Sequence, residues 1–273
     1  STQAPMTITK YNKPDSSKIT FKTLDSDSPV RVRAILAEAK PETTLFVISS
    51  KSGGTIEPRL ALRAVRDAVA DRISEEELVQ HLVAITDPGS MLERQAREEG
   101  WAAVFSGQPT VGGRFSALSV FGLLPAALVG IDLEEFMAHA IDAERQCSED
   151  AIDNPAIGLA SFLYDNYLQG RNKFTFLTQK RGRVLGLWIE QLVAESLGKD
   201  GQGILPNIEV DSLLLKKDPG DRSAIVYLTR NDLWDERRNF EMSLSYIDSS
   251  IPRANYKIDS VEELPEHFVM WEY

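Results

Sequence analysis

Short, continuous apolar runs alternate along this chain with segments of helical periodicity, and that alternation limits the fold more than any other feature. The runs Thr44–Ser49 (TLFVIS) and His81–Thr86 (HLVAIT) stay apolar almost to their last position. A strand with one wet face alternates apolar and polar residues, whereas an unbroken run suits a strand buried on both faces of a parallel sheet. Between these runs, Pro58–Ile73 places Leu60, Leu62, Val65 and Val69 at helical spacing. Lys18–Leu24 (KITFKTL) alternates like a strand, and Ser28-Pro29 opens a helix that extends to about Ala39. After the turn Asp87-Pro88-Gly89 come a helix at Met91–Glu99 and a short strand at Ala102–Phe105. Strand–helix alternation of this kind implies parallel strands with helices on both faces.

From Ala117 to about Leu168 the pattern is helical, broken at Gly130-Ile131-Asp132 and restarted at Asn154-Pro155. Alternation then returns: a strand at Lys173–Thr178 (KFTFLT), a helix at Val184–Leu197, a strand at Ala224–Thr229 (AIVYLT) and a helix near Glu236–Tyr246. The expected fold class is α/β, a three-layer sandwich with parallel sheets. A first domain covers residues 1–130; a helical linker and a second domain cover 131–273. Residues 1–17, polar and rich in Pro and Ser, read as a surface segment.

Composition narrows the function. Lys and Arg number 30 against 41 Asp and Glu, a net charge of −11. Such a field repels nucleic acid and anionic lipid, so neither is an expected partner, and an anionic substrate needs a local positive site. The longest apolar stretch, Phe121–Ile131, is too short to cross a membrane and contains Pro125, and the first residues show no basic region followed by an apolar run, so no signal peptide is expected. The single cysteine, Cys147, allows no internal disulfide and fits a cytoplasmic location. His81, His139 and His267 are far apart and show no metal-ligand spacing, so no metal is expected.

Three motifs carry candidate chemistry. Ser49-Ser50-Lys51-Ser52-Gly53-Gly54-Thr55 joins a parallel strand to a helix. In open α/β folds ligands bind at that end of the sheet, and the N–H groups and dipole of a helix start favour a phosphate. The loop ends in neither a Walker Gly-Lys-Ser/Thr nor a GxGxxG fingerprint, and an ordinary Ser/Gly turn would look the same. Val111-Gly112-Gly113-Arg114-Phe115-Ser116 offers a bend that brings backbone close to a ligand, beside an always-charged guanidinium. Arg114 could equally cap the sheet against a carboxylate. In Gln191-Leu192-Val193-Ala194-Glu195, the amide and carboxylate lie four apart on one helix face, ahead of a Gly198 stop. Glu195 there is either a general base or a solvated surface carboxylate.

Together the motifs resemble the phosphoglucose isomerase family, which is built on two sugar-isomerase (SIS) domains. FVISSKSGGTIEP looks like its phosphate loop, VGGRFSALSVFGLLPAALVGID like its Gly-Gly-Arg signature, and EQLVAESLGK like its Gln-x-x-x-Glu-Ser-x-Gly-Lys motif. The resemblance covers roughly residues 20–210. TDPGSMLE and GLWIEQLVAESLGKDGQGILP read most like the isomerase half of transaldolase–phosphoglucose isomerase fusions.

The resemblance implies parallel flavodoxin-like, SIS-type sheets and isomerisation of glucose 6-phosphate and fructose 6-phosphate without a cofactor, in a homo-oligomer. It assigns phosphate binding to Ser50, Ser52 and Thr55 with backbone from Lys51 and Gly53, close approach to Gly113, and the oxyanion clamp to Arg114. The general base falls on Glu195 and a substrate contact on Gln191. Departures from the family pattern are Gly54 in place of a common Thr, Pro109 before the Gly-Gly-Arg, and no histidine between Ser196 and Glu266 to match the ring-opening one. The family's late lysine would fall beyond Tyr273, and its first strand and Gly-Gly-Ser turn before residue 1. Those segments are therefore expected to be missing, with weak isomerase activity as the consequence. A non-catalytic sugar-phosphate-binding SIS module is the alternative; it needs the loop but neither Gln191 nor Glu195.

Overall fold

The structure, a computed structural model, describes residues 3–12, 19–209, 221–229 and 234–273. Its first element is a helix, α1 (Gln3–Tyr11), which corrects the reading of this stretch as a surface segment. Ala4, Ile8 and Tyr11 follow a three-and-four spacing and are buried, giving the segment a core face that its polar residues obscure. Residues 19–24 carry no regular structure, so the expected strand is absent there; Lys18 lies outside the described residues. The chain divides into two units. One holds residues 20–124; the other holds α1 and the chain from Pro125 onward.

In the first unit the elements run α2 (Pro29–Ala37), β1 (Phe46–Ser49), α3 (Ile56–Val69), α4 (Glu75–Leu78), β2 (Leu82–Thr86), α5 (Met91–Glu98), β3 (Ala103–Ser106) and α6 (Val120–Leu128), the last continuing into the second unit. The three strands are parallel in the order β1-β2-β3, with Phe46 opposite Leu82 and Val83 opposite Ala103. β2 is the middle strand, and all of its residues are buried, as its unbroken apolar run predicts. β1 differs from expectation: Leu45 is exposed and Val47 only half-buried, because β1 has one neighbour among the described strands. On α3, Leu62, Val65 and Val69 are buried, but Leu60 is 58% exposed. Two residues are about 200° apart around a helix, so Leu60 cannot share the Leu62 stripe.

The second unit contains α7 (Leu133–Ser148), α8 (Pro155–Leu168), β4 (Lys173–Thr178), α9 (Arg183–Leu197), β5 (Leu205–Glu209), β6 (Arg222–Thr229), α10 (Trp234–Leu244), β7 (Arg253–Ile258) and α11 (Leu264–Glu272). Asp132 and Asn154 cap the starts of α7 and α8 with their side-chain oxygens. The sheet order is β5-β4-β6-β7, all parallel. Counted within this unit, that is 2-1-3-4, the flavodoxin-like arrangement. The parallel α/β class expected from the sequence is thus present in both units.

An aromatic core holds the second unit together. Phe176 stacks on Tyr227 at 5.0 Å between centroids, Tyr227 stacks on Tyr256 at 5.2 Å, and Trp188 meets Phe268 edge-on at 4.7 Å. Within it Trp271, Tyr227 and His267 form one chain of hydrogen bonds. Trp271 Nε1 donates to Tyr227 Oη (2.9 Å), Tyr227 O–H donates to His267 Nδ1 (3.1 Å), and His267 Nε2–H donates to the Lys257 carbonyl (3.2 Å). These partners fit a neutral imidazole.

Burial pushes His267 down to about 4 from 6.5. A folded value below the unfolded one means that the unfolded chain binds the extra proton between these limits. Stability from this group is therefore complete above about pH 6.5 and falls as pH drops toward 4, by up to about 3 kcal/mol. Glu272, pushed up to about 8 by burial, has the opposite slope above its ordinary value. It is retained in a His267→Gln variant, so the difference between parent and variant denaturation curves from pH 4 to 7 isolates His267. Parallel curves would refute its neutral burial.

Candidate active site

Parallel strands place their following turns along one edge of a sheet. In the first unit these are the turns after β1, β2 and β3. The turn after β1 runs Ser50 to Thr55. Ser50 is buried, its N–H donates to the Ile85 carbonyl (3.0 Å), and its Oγ lies 3.1 Å from Thr55 Oγ1. Thr55 is the N-cap of α3, yet its side chain makes no capping bond. By contrast Ser90 caps α5, accepting from the Glu93 N–H at 3.0 Å. The start of α3 therefore combines uncapped amide donors with nearby hydroxyls, a composition suited to an oxyanion. Ser52 Oγ accepts the Gly54 N–H at 3.2 Å, tightening the same loop.

The two glycines of this loop differ. Gly53 has φ +67°, and a Cβ there would lie 2.6 Å from the Leu92 backbone nitrogen. Gly54 would meet only Ser52 Oγ, at 3.8 Å. Beside the loop, a cavity of about 250 Å³ opens between α3 and α5, with Ser50, Gly53, Arg59 and Arg94 in its wall.

Lys51 does not extend its ammonium into that cavity. Nζ pairs with Asp87 Oδ2 at 2.5 Å and donates to the Gln108 carbonyl at 2.9 Å. The Lys51 carbonyl in turn accepts from the Asp87 N–H (2.9 Å) and Thr86 Oγ1 (3.3 Å). Neither Asp87 nor Gln108 is signalled by the motif around Lys51. The TDPGS turn after β2 is the only sequence cue, and it shows a turn rather than a contact.

Downstream of Gln108 the Gly-Gly-Arg segment forms a 3-10 turn over Gly113–Phe115. The Phe115 N–H donates to the Gly112 carbonyl (3.0 Å), and Ser116 Oγ donates to the Gly113 carbonyl (2.6 Å). The half-buried Arg114 guanidinium stands 5.1 Å from the Phe115 ring centroid, in cation–π range. Gly113 has no left-handed φ, and a Cβ on it would meet nothing within 4 Å. Packing among the described residues therefore does not require glycine there.

The other candidate residues lie in the second unit. α9 buries Leu185, Trp188, Ile189, Leu192 and Val193, which leaves Gln191 and Glu195 on the outer face. Gln191 Nε2 donates to Glu195 Oε1 at 3.0 Å, as their spacing predicts. Gly198 ends the helix: its N–H donates to the Ala194 carbonyl (3.1 Å), and a Cβ would sit 2.6 Å from that oxygen. The chain then turns tightly through Asp200 (φ 55°) and Gly201 (φ 73°), closed by bonds in both directions between Lys199 and Gln202. Among the described residues no group of three or more His, Cys, Asp or Glu could hold a metal ion.

The phosphoglucose isomerase family model matches residues 1–211. The chain belongs to the phosphoglucose isomerase family. A glucose-6-phosphate isomerase of Synechococcus sp. (strain JA-3-3Ab) is 44% identical over 178 residues, 64% of this chain and 33% of that protein. One from Prochlorococcus marinus subsp. pastoris is 31% identical over 274 residues, covering 97% of this chain and 50% of that protein. The chain thus spans about a third to a half of the length of these curated relatives. A crystal structure of a glucose-6-phosphate isomerase from Chlamydia trachomatis superposes with a TM-score of 0.75 at 18% identity, over 99% of this chain and 60% of that one. That likeness shows the phosphoglucose isomerase fold. Every candidate residue from Ser50 to Glu195 lies inside the family match.

Proposed function

We propose that this chain carries sugar-phosphate isomerase chemistry, the reversible conversion of glucose 6-phosphate to fructose 6-phosphate through an enediol(ate). The observation that carries the reading is the Gln191–Glu195 hydrogen bond on the outer face of α9. A module that only binds a phosphosugar needs no oriented carboxylate. In the isomerase, Glu195 removes the proton from C2 of the open-chain aldose and returns it to C1, so one base on one face serves both steps. Arg114 stabilises the negative charge that develops on the enediolate oxygen. The Ser50–Thr55 loop holds the remote phosphate, so that binding energy orients the reacting carbons.

We take the two units as SIS-type domains, one of residues 20–124 and the other of α1 with residues 125–273, in place of the boundary at 130/131 read from the sequence, the second with a helical linker, acting in the cytoplasm as a homo-oligomer. Exposed Ile141, Ile157, Tyr164 and Leu168 on α7 and α8 support self-association. Among the described residues no helix is long and apolar enough to cross a membrane.

The test is a coupled fructose 6-phosphate to glucose 6-phosphate assay run beside phosphate titrations. Ser52→Ala or Thr55→Ala should weaken inorganic phosphate and phosphosugar binding by about 1.5–3 kcal/mol each, the loss of one hydrogen bond to a charged group. Normal binding by both variants would refute the loop assignment. Tight phosphosugar binding with no turnover in the parent would favour the non-catalytic module.

A further inference from the structure

The Lys51 ammonium bridges all three turns along the sheet edge. It belongs to the turn after β1, pairs with Asp87 in the turn after β2, and donates to Gln108 in the segment leading to Arg114. Lys51 and Asp87 are largely shielded, with side chains 24% and 18% exposed. The arrangement is tied at a second level. The Gly107 N–H donates to the Thr86 carbonyl at 2.7 Å, and a Cβ on Gly107 would lie 2.5 Å from Asp87 Oδ1 and 2.6 Å from the Phe121 ring. Asp87 is thus held between the phosphate loop on one side and the Gly107–Gln108 backbone on the other.

We infer that Asp87 is a positioning residue: its carboxylate fixes Lys51, so that the phosphate loop and the segment bearing Arg114 are held in one arrangement. The inference rests on the phosphate-loop reading. It also changes the part played by Lys51. Its positive charge is neutralised by Asp87 and its donors point at Asp87 and Gln108, so the loop meets phosphate with amides and hydroxyls.

Electrostatics alone and positioning predict opposite signs for one substitution. Asp87→Asn removes a negative charge near the loop and leaves Lys51 unneutralised. If charge alone mattered, inorganic phosphate would bind more tightly. If Asp87 positions Lys51, phosphate binding weakens, by about tenfold. The experiment titrates inorganic phosphate into the 273-residue chain and its variants, with circular dichroism to confirm folding. Hydrogen exchange at the Gly107 amide, which should quicken in Asp87→Asn, provides a second readout. Combining Asp87→Asn with Lys51→Met should weaken binding no further than either alone, because both break the same strut. Should Asp87→Asn not fold, Lys51→Met carries the test: its tenfold loss persists at about 1 M salt, where a contribution from a through-space charge is screened. Unchanged or tighter binding by a folded Asp87→Asn, or a Lys51→Met loss that vanishes in salt, overturns the inference while leaving the loop reading intact. A parent chain that does not bind phosphate overturns both.

Discussion

Glu195→Gln is expected to lower isomerase turnover by about 100- to 10,000-fold, the usual contribution of a positioned general base. The substitution changes little else. Glu195 is exposed on the outer face of α9, so no core contact is lost. A glutamine amide can still accept from Gln191 Nε2 through its carbonyl oxygen, which preserves the local hydrogen bond. Phosphate affinity, which we assign to the Ser50–Thr55 loop in the first unit, should remain at the parent value. The pattern sought is therefore a fall in kcat with binding intact, the signature of an interaction made in the transition state. Exchange of the C2 proton with solvent deuterium, followed by NMR in the parent and the variant, reads the proton transfer itself. Equal exchange in both would remove Glu195 from the mechanism, whatever the overall flux.

The sequence was most legible where structure is local. The Ser50–Thr55 loop, the Gly-Gly-Arg turn and the Gln191–Glu195 pair each lie within a few residues, so spacing alone predicts their geometry. β2 was legible because a middle strand buries both faces, and its residues record that burial without polar interruption. β5 (LPNIE) and β7 (RANYKI) were missed because they flank the described sheet, where a strand with one neighbour tolerates the buried Pro206 and one-sided exposure tolerates Asn207, Arg253 and Lys257. α1 was missed because its buried face mixes Ala4, Ile8 and Tyr11 with Pro5 and Thr7, residues that read as loop.

The strut around Lys51 was illegible for a different reason. Its partners are 36 and 57 residues away in sequence, and only the parallel register of β1, β2 and β3 brings their carboxyl ends together. A motif states which residues a turn contains, not which neighbouring turns it touches.

The pair Gly53-Gly54 shows the same limit in a single dipeptide, and it supports a second large effect. Gly53→Ala should disable the phosphate loop, whereas Gly54→Ala should leave it nearly unchanged. At Gly53 the left-handed φ alone costs an alanine about 1–2 kcal/mol. The new methyl would also lie 2.6 Å from the Leu92 backbone nitrogen and 3.2 Å from that of Met91, atoms of the first turn of α5. Backbone atoms cannot rotate aside as a side chain could, so either the loop lifts or α5 shifts, an overpacking cost of typically about 1–3 kcal/mol. Lifting is the easier response, since the loop is short and one side of it faces the open cavity. That movement separates Ser50 Oγ from Thr55 Oγ1 and turns the α3 amides away from the anion. Phosphate affinity should therefore fall well over tenfold, together with a lower melting temperature for the first unit. At Gly54 the backbone has no left-handed φ, and the methyl would contact only Ser52 Oγ at 3.8 Å, an ordinary van der Waals distance. Removing a glycine there also restricts the unfolded chain, which favours the folded state slightly. Phosphate titration and thermal melts of the two single variants separate the cases. Equal effects at the two positions would mean that the close approach of Gly53 to α5 does not shape the loop.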